Sequence, residues 1–307
     1  MSDDALARRF LHVCYCCVDA EPITAFFVDA LAMRNTMSTP VEPSDGAILG
    51  IDGEVVSNAA FVYDARGPRT SPAIEVQGWV KPALVGTPVE EPAAVGIQAL
   101  GFAVPDVASA CASLGARGCT VIGSGAAPAP ASAPWATLRD PTGVRLDLVE
   151  DPEVPVGETR MRHLRITVSD LATSVPWYEQ LGFAVVDTVH VKDAAFLGGD
   201  EAVDADLTRL RLPDEPYEVV LIQWNDPPSH GRHVSEPNHA GLYRTAVGVD
   251  DTRAAHAALS AAGVVFDRPP MSVELHGTNV PDMWICFLSD PDGVPFELVG
   301  RPRSAFR

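Results

Sequence analysis

Basic side chains are scarce in this chain of 307 residues: 22 Lys and Arg face 41 Asp and Glu, for a formal net charge of −19. A surface this acidic repels nucleic-acid phosphates and anionic lipid headgroups, which argues against either as a partner. The sequence also lacks an apolar run near the roughly 18 residues of a membrane span. The first residues, with Asp3 and Asp4, lack the pattern of a signal peptide. These absences predict a soluble, cytoplasmic protein.

Cysteine and histidine do not occur at metal-finger spacings. Six cysteines are present, and three of them, Cys14, Cys16 and Cys17, lie in an apolar, strand-like run, so we expect buried reduced thiols. His230, His233 and His239 fall in a long predicted loop, where solvated side chains are the ordinary expectation.

The chain has the composition of a globular protein, with 47% hydrophobic and 21% charged residues. At about 150 residues a domain, this length predicts two domains. An internal repeat gives their boundaries. DPTGVRLDLV at 140–149 recurs as DPDGVPFELV at 290–299, and HVCYCCVD at 12–19 matches HLRITVSD at 163–170. GFAVPD at 101–106 similarly matches AVGVDD at 246–251. The sequence therefore predicts two duplicated modules, residues 1–150 and 151–307.

Each module divides into two β-α-β-β-β units, at about residues 10–80, 97–150, 161–225 and 242–299. Asp170 is expected to cap the helix of the third unit. The Ala/Pro-rich run 123–134 is predicted as a surface loop. A single unit leaves one sheet face bare, so units must join in pairs. The expected fold class is α+β, with four βαβββ units in two tandem modules, half-open cup-like mixed sheets and helices outside.

These motifs resemble the vicinal-oxygen-chelate superfamily of glyoxalases, bleomycin-resistance proteins and extradiol dioxygenases. The closest likeness is in the second module, in HLRITVSD, WYEQLGF at 177–183 and DPDGVPFEL. The likeness is specific for the fold and weak for the reaction, because the superfamily hosts many chemistries.

Strand alternation predicts which side chains face each cup. The residues expected to point inward are His12, Cys14, Cys16, Glu75, Gln77, Asp147, His163, Arg165, Thr167, Arg244 and Glu297. Metal-dependent members of the family place ligands on the first and last strand of each unit. At these positions the first module has His12, Glu75, Ala99 and Asp147, and the second has His163, Val220, Arg244 and Glu297.

The ligand set is incomplete, since Ala99 and Val220 cannot coordinate a metal and Arg244 repels a cation. The resemblance therefore disfavours ring-cleaving dioxygenase chemistry. His12 and Glu75 are the candidate metal ligands, for Fe, Mn, Ni, Co or Zn, and a site without metal is the alternative. Arg244 is expected to pair with Glu297 and to fill the role of the missing cation.

The pairing of the units is left open by the sequence. Pairing in chain order gives one cup with His12, Glu75 and Asp147 and another with His163, Arg244 and Glu297. Pairing the first unit with the fourth instead joins His12 and Glu75 to Arg244 and Glu297.

An enzyme is favoured, with lyase- or isomerase-like proton transfer on an oxygen-rich small molecule. His163, Arg244 and Glu297 are the predicted catalytic residues, and Arg165, Thr167 and Asp147 the predicted substrate-binding residues. The alternative is a ligand-sequestering protein of the bleomycin-resistance type. The expected partner is a small molecule, and a homodimer is compatible with the resemblance.

Overall fold

The structure is a computed structural model, and it describes residues 5–127, 132–198, 204–266, 268–273 and 283–301. Four α-helices and 17 strands are found in these ranges. The helices are α1 (Ala20–Leu31), α2 (Val107–Gly115), α3 (Leu171–Gln180) and α4 (Thr252–Ala261). None of them is long and apolar enough to cross a membrane.

The first half of the chain contributes nine strands within the described ranges. They are β1 (Ala7–Cys17), β2 (Arg34–Ser38), β3 (Glu42–Asp45), β4 (Glu54–Tyr63), β5 (Ala73–Lys81), β6 (Gly96–Val104), β7 (Thr120–Ala126), β8 (Pro134–Arg139) and β9 (Arg145–Glu150). The predicted loop at 123–134 is wrong at its start, because Val121 to Ala126 pair with β8 in an antiparallel ladder. Residues 128–131 of that run lie outside the described residues.

The second half contributes eight more strands within the described ranges. They are β10 (Arg160–Thr167), β11 (Ala184–Val191), β12 (Asp204–Arg211), β13 (Glu218–Asp226), β14 (Gly241–Val249), β15 (Met271–Val273), β16 (Met283–Ser289) and β17 (Pro295–Gly300).

The strands form two curled, half-barrel mixed sheets, as the α+β prediction requires. The first sheet has the order β15-β16-β17-β14-β1-β5-β4-β2, with β3 on β4. The second has the order β11-β12-β13-β10-β6-β9-β8-β7. Each sheet therefore takes one unit from each half of the chain: the first unit pairs with the fourth, and the second with the third.

Every helix begins at an aspartate in the same place of its unit. Asp19, Asp106, Asp170 and Asp251 each accept a hydrogen bond from a backbone N–H of the first turn. Such a cap satisfies a donor that the helix itself cannot. The predicted cap at Asp170 is confirmed.

The Asp-Pro-x-Gly repeats fold as turns that lock the units together. Asp140 Oδ1 accepts from Val144 N at 3.0 Å, and Asp290 Oδ1 accepts from Val294 N at 2.8 Å. Tyr15 donates to Asp140 at 2.8 Å, and Tyr178 to Asp290 at 3.0 Å, from units more than 100 residues away.

The main apolar core lies on the helical side of both sheets, outside the cups. Phe27 of α1 contacts Phe102 of the second sheet, with ring centroids 6.4 Å apart. Tyr178 of α3 contacts Phe296 of the first sheet at 5.4 Å. The helices thus tie the two sheets back to back, and each sheet keeps its concave face for polar side chains.

Candidate functional site

Four polar side chains converge from the four central strands of the first sheet. They are His12 on β1, Glu75 on β5, Arg244 on β14 and Glu297 on β17. The register explains their proximity. His12 lies opposite Ala246, which is paired with Glu297 on the next strand. Cys14, two residues beyond His12, is paired with Glu75. The prediction that all four face one cup when the first unit pairs with the fourth is confirmed.

Arg244 is held mainly by Glu75. Its Nη2 lies 3.0 and 2.9 Å from the two carboxylate oxygens of Glu75, and its Nη1 donates to Gln77 Oε1 at 3.0 Å. The predicted partner Glu297 is farther, at 3.6 Å from Arg244 Nε. Register accounts for the difference, because β5 brings both Glu75 and Gln77 to the same side of the guanidinium.

Burial alone would lower the pKa of Arg244, but neighbouring Cys14, Glu75 and Glu297 outweigh it and raise that pKa. The pKa of Cys14 is itself raised well above an ordinary thiol, chiefly by burial. The Cys14 thiol is therefore neutral at neutral pH, and the two carboxylates carry the negative charge that matters there.

His12 stands between two carboxylates. Its Nε2 lies 3.3 Å from Glu75 Oε2 and 3.5 Å from Glu297 Oε2, and neither contact has the geometry of a hydrogen bond. Burial works to raise the pKa of Glu297, but contacts with His12 and Arg244 outweigh it and lower that pKa. Glu297 is thus ionised at neutral pH.

These groups form the floor of a cavity of about 220 Å³. Its walls are largely apolar, with Leu11, Ile48, Phe61, Ile285, Phe287 and Val299 among them. A second cavity of about 400 Å³ adjoins it and shares Phe61, Glu75 and Gln77. Cavities that hold drug-sized ligands are about 300–1,000 Å³, so the floor suits a compact molecule or the reactive end of a larger one.

Nitrogen and oxygen donors for a divalent ion are present on His12, Glu75 and Glu297. Both oxygens of Glu75 are already held by Arg244 Nη2, and a permanent positive charge stands at the fourth position. Within the described ranges, no group of three or more His, Cys, Asp and Glu side chains is arranged to hold a metal ion. In this arrangement the donor set does not fit a divalent cation.

The other predicted residues form a closed cluster in the second sheet. Arg165 donates to both oxygens of Asp147, at 2.7 and 2.9 Å, and His163 Nε2 lies 3.2 Å from the same carboxylate. These three side chains are at most 1% exposed. Burial works to raise the pKa of Asp147, but Arg165 and His163 outweigh it and lower that pKa. The pKa of His163 is lowered, chiefly by burial.

A short 3₁₀ turn, Ala195–Leu197, seals this second cup. Phe196 packs on Trp135, which in turn packs on His163, with ring centroids 5.3 and 5.0 Å apart. Arg165 also donates to the Leu197 carbonyl at 3.3 Å. Nothing in the composition of this turn marks it as a segment that closes a cup, so the sequence does not predict it.

Thr167 is also enclosed, and its hydroxyl donates to the Pro92 carbonyl at 2.8 Å. The structure therefore joins Arg244 and Glu297 to His12 and Glu75, and places His163, Arg165, Thr167 and Asp147 in the other sheet. The two sets still hold equivalent registers. His163 lies opposite Gly101, which is paired with Asp147, just as His12 lies opposite Ala246, which is paired with Glu297.

Comparison with known proteins gives matches of sequence and of fold. A profile of the Glyoxalase/Bleomycin resistance protein/Dioxygenase superfamily matches residues 160–298. No curated protein matches the chain by sequence search. The fold is similar to glyoxalase I from Zea mays, with a TM-score of 0.68, 19% identity and coverage of 95% of this chain and 92% of that one.

A second similar structure is a putative dioxygenase from Bacillus subtilis. The TM-score is 0.55 and the identity 12%, over 95% of this chain and 85% of that one. Identities this low speak for the fold and not for the reaction. Residues 160–298 therefore match the glyoxalase/bleomycin resistance/dioxygenase superfamily in sequence, and the chain as a whole shares the two-cup fold of glyoxalase I.

Proposed function

We propose that the first cup is the active site of a small-molecule enzyme that transfers a proton on a compact, oxygen-bearing substrate. The observation that carries the proposal is the position of His12 between Glu75 and Glu297 at the floor of an apolar-walled cavity. The His12 Nε2 is buried and has no hydrogen-bond partner among the described residues. Buried polar atoms rarely stay unpaired, so such an atom beside a cavity points to a ligand.

The roles follow from charge and position. His12 is the group that gives or takes the proton, because imidazole is the side chain that most often serves as a general acid or base. The carboxylates of Glu75 and Glu297 stabilise the imidazolium that forms, at 3.3 and 3.5 Å. Arg244 holds both carboxylates in place, at 2.9 Å from Glu75 and 3.6 Å from Glu297. A hydroxyl or enolic oxygen of the substrate can then donate to Glu297 and accept from His12.

This reaction class is lyase- or isomerase-like. It predicts exchange of hydrogen for deuterium on the carbon next to a carbonyl. A panel of α-hydroxy ketones with aliphatic or aromatic bodies, including 2-hydroxy-1-phenylethanone, is incubated in D₂O and followed by ¹H NMR. The wild-type protein is expected to accelerate exchange of at least one member. His12→Asn is expected to slow it by about 10²–10⁴-fold, the usual contribution of a positioned acid or base.

His190 provides a matched control, since it too lies between two carboxylates, Asp204 and Asp206, but its side chain is 46% exposed on the second sheet. His190→Asn is expected to leave exchange unchanged. An equal loss in both variants, or no acceleration of any compound by the wild-type protein, would argue against the proposal.

A second candidate function is sequestration of a compact amphipathic cation. The observation that favours it is local: the carboxylates of Glu75 and Glu297 both line the cavity floor, where a ligand cation can contact them, although Arg9 and Arg301 also line this cavity. The acidic protein would also attract cations from solution. Calorimetric titration with phenethylamine tests this: saturable binding that Glu297→Gln weakens, without any chemical product, would favour sequestration over catalysis.

A further inference from the structure

The four polar residues of the first cup are two carboxylates, one imidazole and one cation, brought together on the floor of a single cavity. Arg244 Nη2 contacts both oxygens of Glu75, and Arg244 Nε lies 3.6 Å from Glu297. A guanidinium remains charged at all ordinary pH values and presents its donors in a fixed plane. The positive charge that the two carboxylates need is therefore built into the chain.

The carboxylates explain why this charge cannot simply be removed. The side chains of Glu75 and Glu297 are each 9% exposed, and Arg244 is 5% exposed. Buried carboxylates without a counter-charge are strongly unfavourable. Something positive must stand between them, whether a guanidinium or a metal ion.

The second cup repeats this arrangement independently. Asp147, in the register position of Glu297, is held at both oxygens by Arg165, at 2.7 and 2.9 Å. Arg165 sits in a different position from Arg244, since it occupies the register position of Cys14. Two different strand positions thus supply an arginine to a cup carboxylate.

We infer that Arg244 is the resident cation of the first cup, that it excludes divalent metal from His12, Glu75 and Glu297, and that replacing it with histidine would create a metal site. Arg244→His removes the positive charge and adds an imidazole beside one histidine and two glutamates. Imidazole and carboxylate ligands in this number suit Mn²⁺, Fe²⁺, Co²⁺ and Zn²⁺. This role of Arg244 does not depend on whether the cavity catalyses a reaction.

The test is direct titration of Mn²⁺ into EDTA-treated protein, followed by the electron paramagnetic resonance signal of free Mn²⁺. The wild-type chain is expected to leave that signal undiminished. Arg244→His is expected to remove one equivalent per chain, and the added substitution Glu297→Gln to abolish the uptake. Arg244→Gln, which removes the charge without adding a strong ligand, is expected to bind much more weakly than Arg244→His.

Two results would overturn the inference. One is stoichiometric uptake by the wild-type chain that Glu297→Gln removes, because Arg244 then does not exclude metal. The other is a folded Arg244→His chain that takes up no Mn²⁺. Arg244→Asp supplies a carboxylate in place of imidazole and serves as the second variant if Arg244→His does not fold. If neither variant folds, the wild-type titration decides whether Arg244 excludes metal.

Discussion

Arg244 Nη2 lies 3.0 and 2.9 Å from the two carboxylate oxygens of Glu75, although the two residues are 169 positions apart. This pair joins the first unit to the fourth across the floor of the cavity. Because both side chains are almost fully buried, each is the principal partner that makes the other's charge tolerable.

Loss of the Glu75 charge should therefore destabilise the fold. Glu75→Gln leaves Arg244 with its hydrogen bond to Gln77 and with Glu297 at 3.6 Å as its nearest charged partner, and we expect a loss of about 3 kcal/mol in the free energy of unfolding. Urea denaturation at neutral pH measures it. Glu54→Gln is the control, since Glu54 pairs with Lys81 at 3.2 Å but both side chains are more than half exposed. That change should cost no more than about 1 kcal/mol. Equal effects of the two changes would contradict the assigned role of Glu75.

The second cup should behave as a unit that tolerates joint replacement. Asp147→Leu alone leaves Arg165 charged and buried, at a cost of about 3–5 kcal/mol. Arg165→Met alone should also destabilise the fold, because Asp147 loses both of its donated hydrogen bonds from Arg165. The double variant should lose about 2 kcal/mol less free energy of unfolding than the two single variants lose together. A double-mutant cycle measures this, and a coupling energy near zero would mean that the pair is not the main constraint there.

His233 should make stability depend on pH. It is buried, its Nε2 donates to the Tyr243 carbonyl at 2.6 Å, and burial lowers its pKa from 6.5 to about 4. The unfolded chain then binds the proton more readily between these values, so the free energy of unfolding should fall as pH drops from 6.5 to 4. The full contribution is roughly 3 kcal/mol.

His233→Gln keeps a donor and removes the titration. Its free energy of unfolding, measured by urea denaturation at half-unit steps between pH 4 and 7, should vary less steeply than that of the parent, by up to about 1.4 kcal/mol per pH unit. An unchanged slope would assign the acid sensitivity to other groups.

Gly101 lies opposite His163 where the second and third units pair, so a substitution there tests this pairing. A Cβ at this position would lie 2.3 Å from two atoms of the His163 ring. Gly101→Ala is therefore expected to destabilise the fold by about 2 kcal/mol, measured by thermal or urea unfolding. Gly115→Ala is the control, because a Cβ there meets nothing within 4 Å at the end of α2, and it should stabilise slightly. In a His163→Ala background, Gly101→Ala should lower the free energy of unfolding by less than it does in the parent. An equal loss in both backgrounds would contradict this contact.

The local structure of each unit could be predicted from the sequence. Asp170 could be recognised as a helix cap because its side chain acts within one turn. The Asp-Pro-x-Gly turns could be recognised for the same reason, since Asp140 and Asp290 bond the backbone only four residues on. Strand alternation placed His12, Arg244 and Glu297 on the concave face.

The tertiary contacts of individual side chains were harder to predict from the sequence. Glu297 was expected to be the main partner of Arg244, but β5 delivers Glu75 and Gln77 to the guanidinium at shorter distances. His233 was expected to be solvated, yet it is buried against Tyr243 and stacks on its ring. The strand Thr120–Ala126 was partly read as loop, because its Gly and Ala residues carry little strand propensity and its ladder with β8 supplies the stability.

The sequence by itself determined four β-α-β-β-β units, their helix caps, their turns and the inward-facing side chains, because each of these depends on residues a few positions apart. Only the tertiary structure decided which units share a sheet. All four units offer a similar first strand as a pairing edge, so local pattern cannot distinguish one pairing from another. In the structure β1 pairs with β14 and β6 pairs with β10, each in an antiparallel ladder. That choice opens one cup around His12, Glu75, Arg244 and Glu297, while Phe196 and Trp135 close the other over His163.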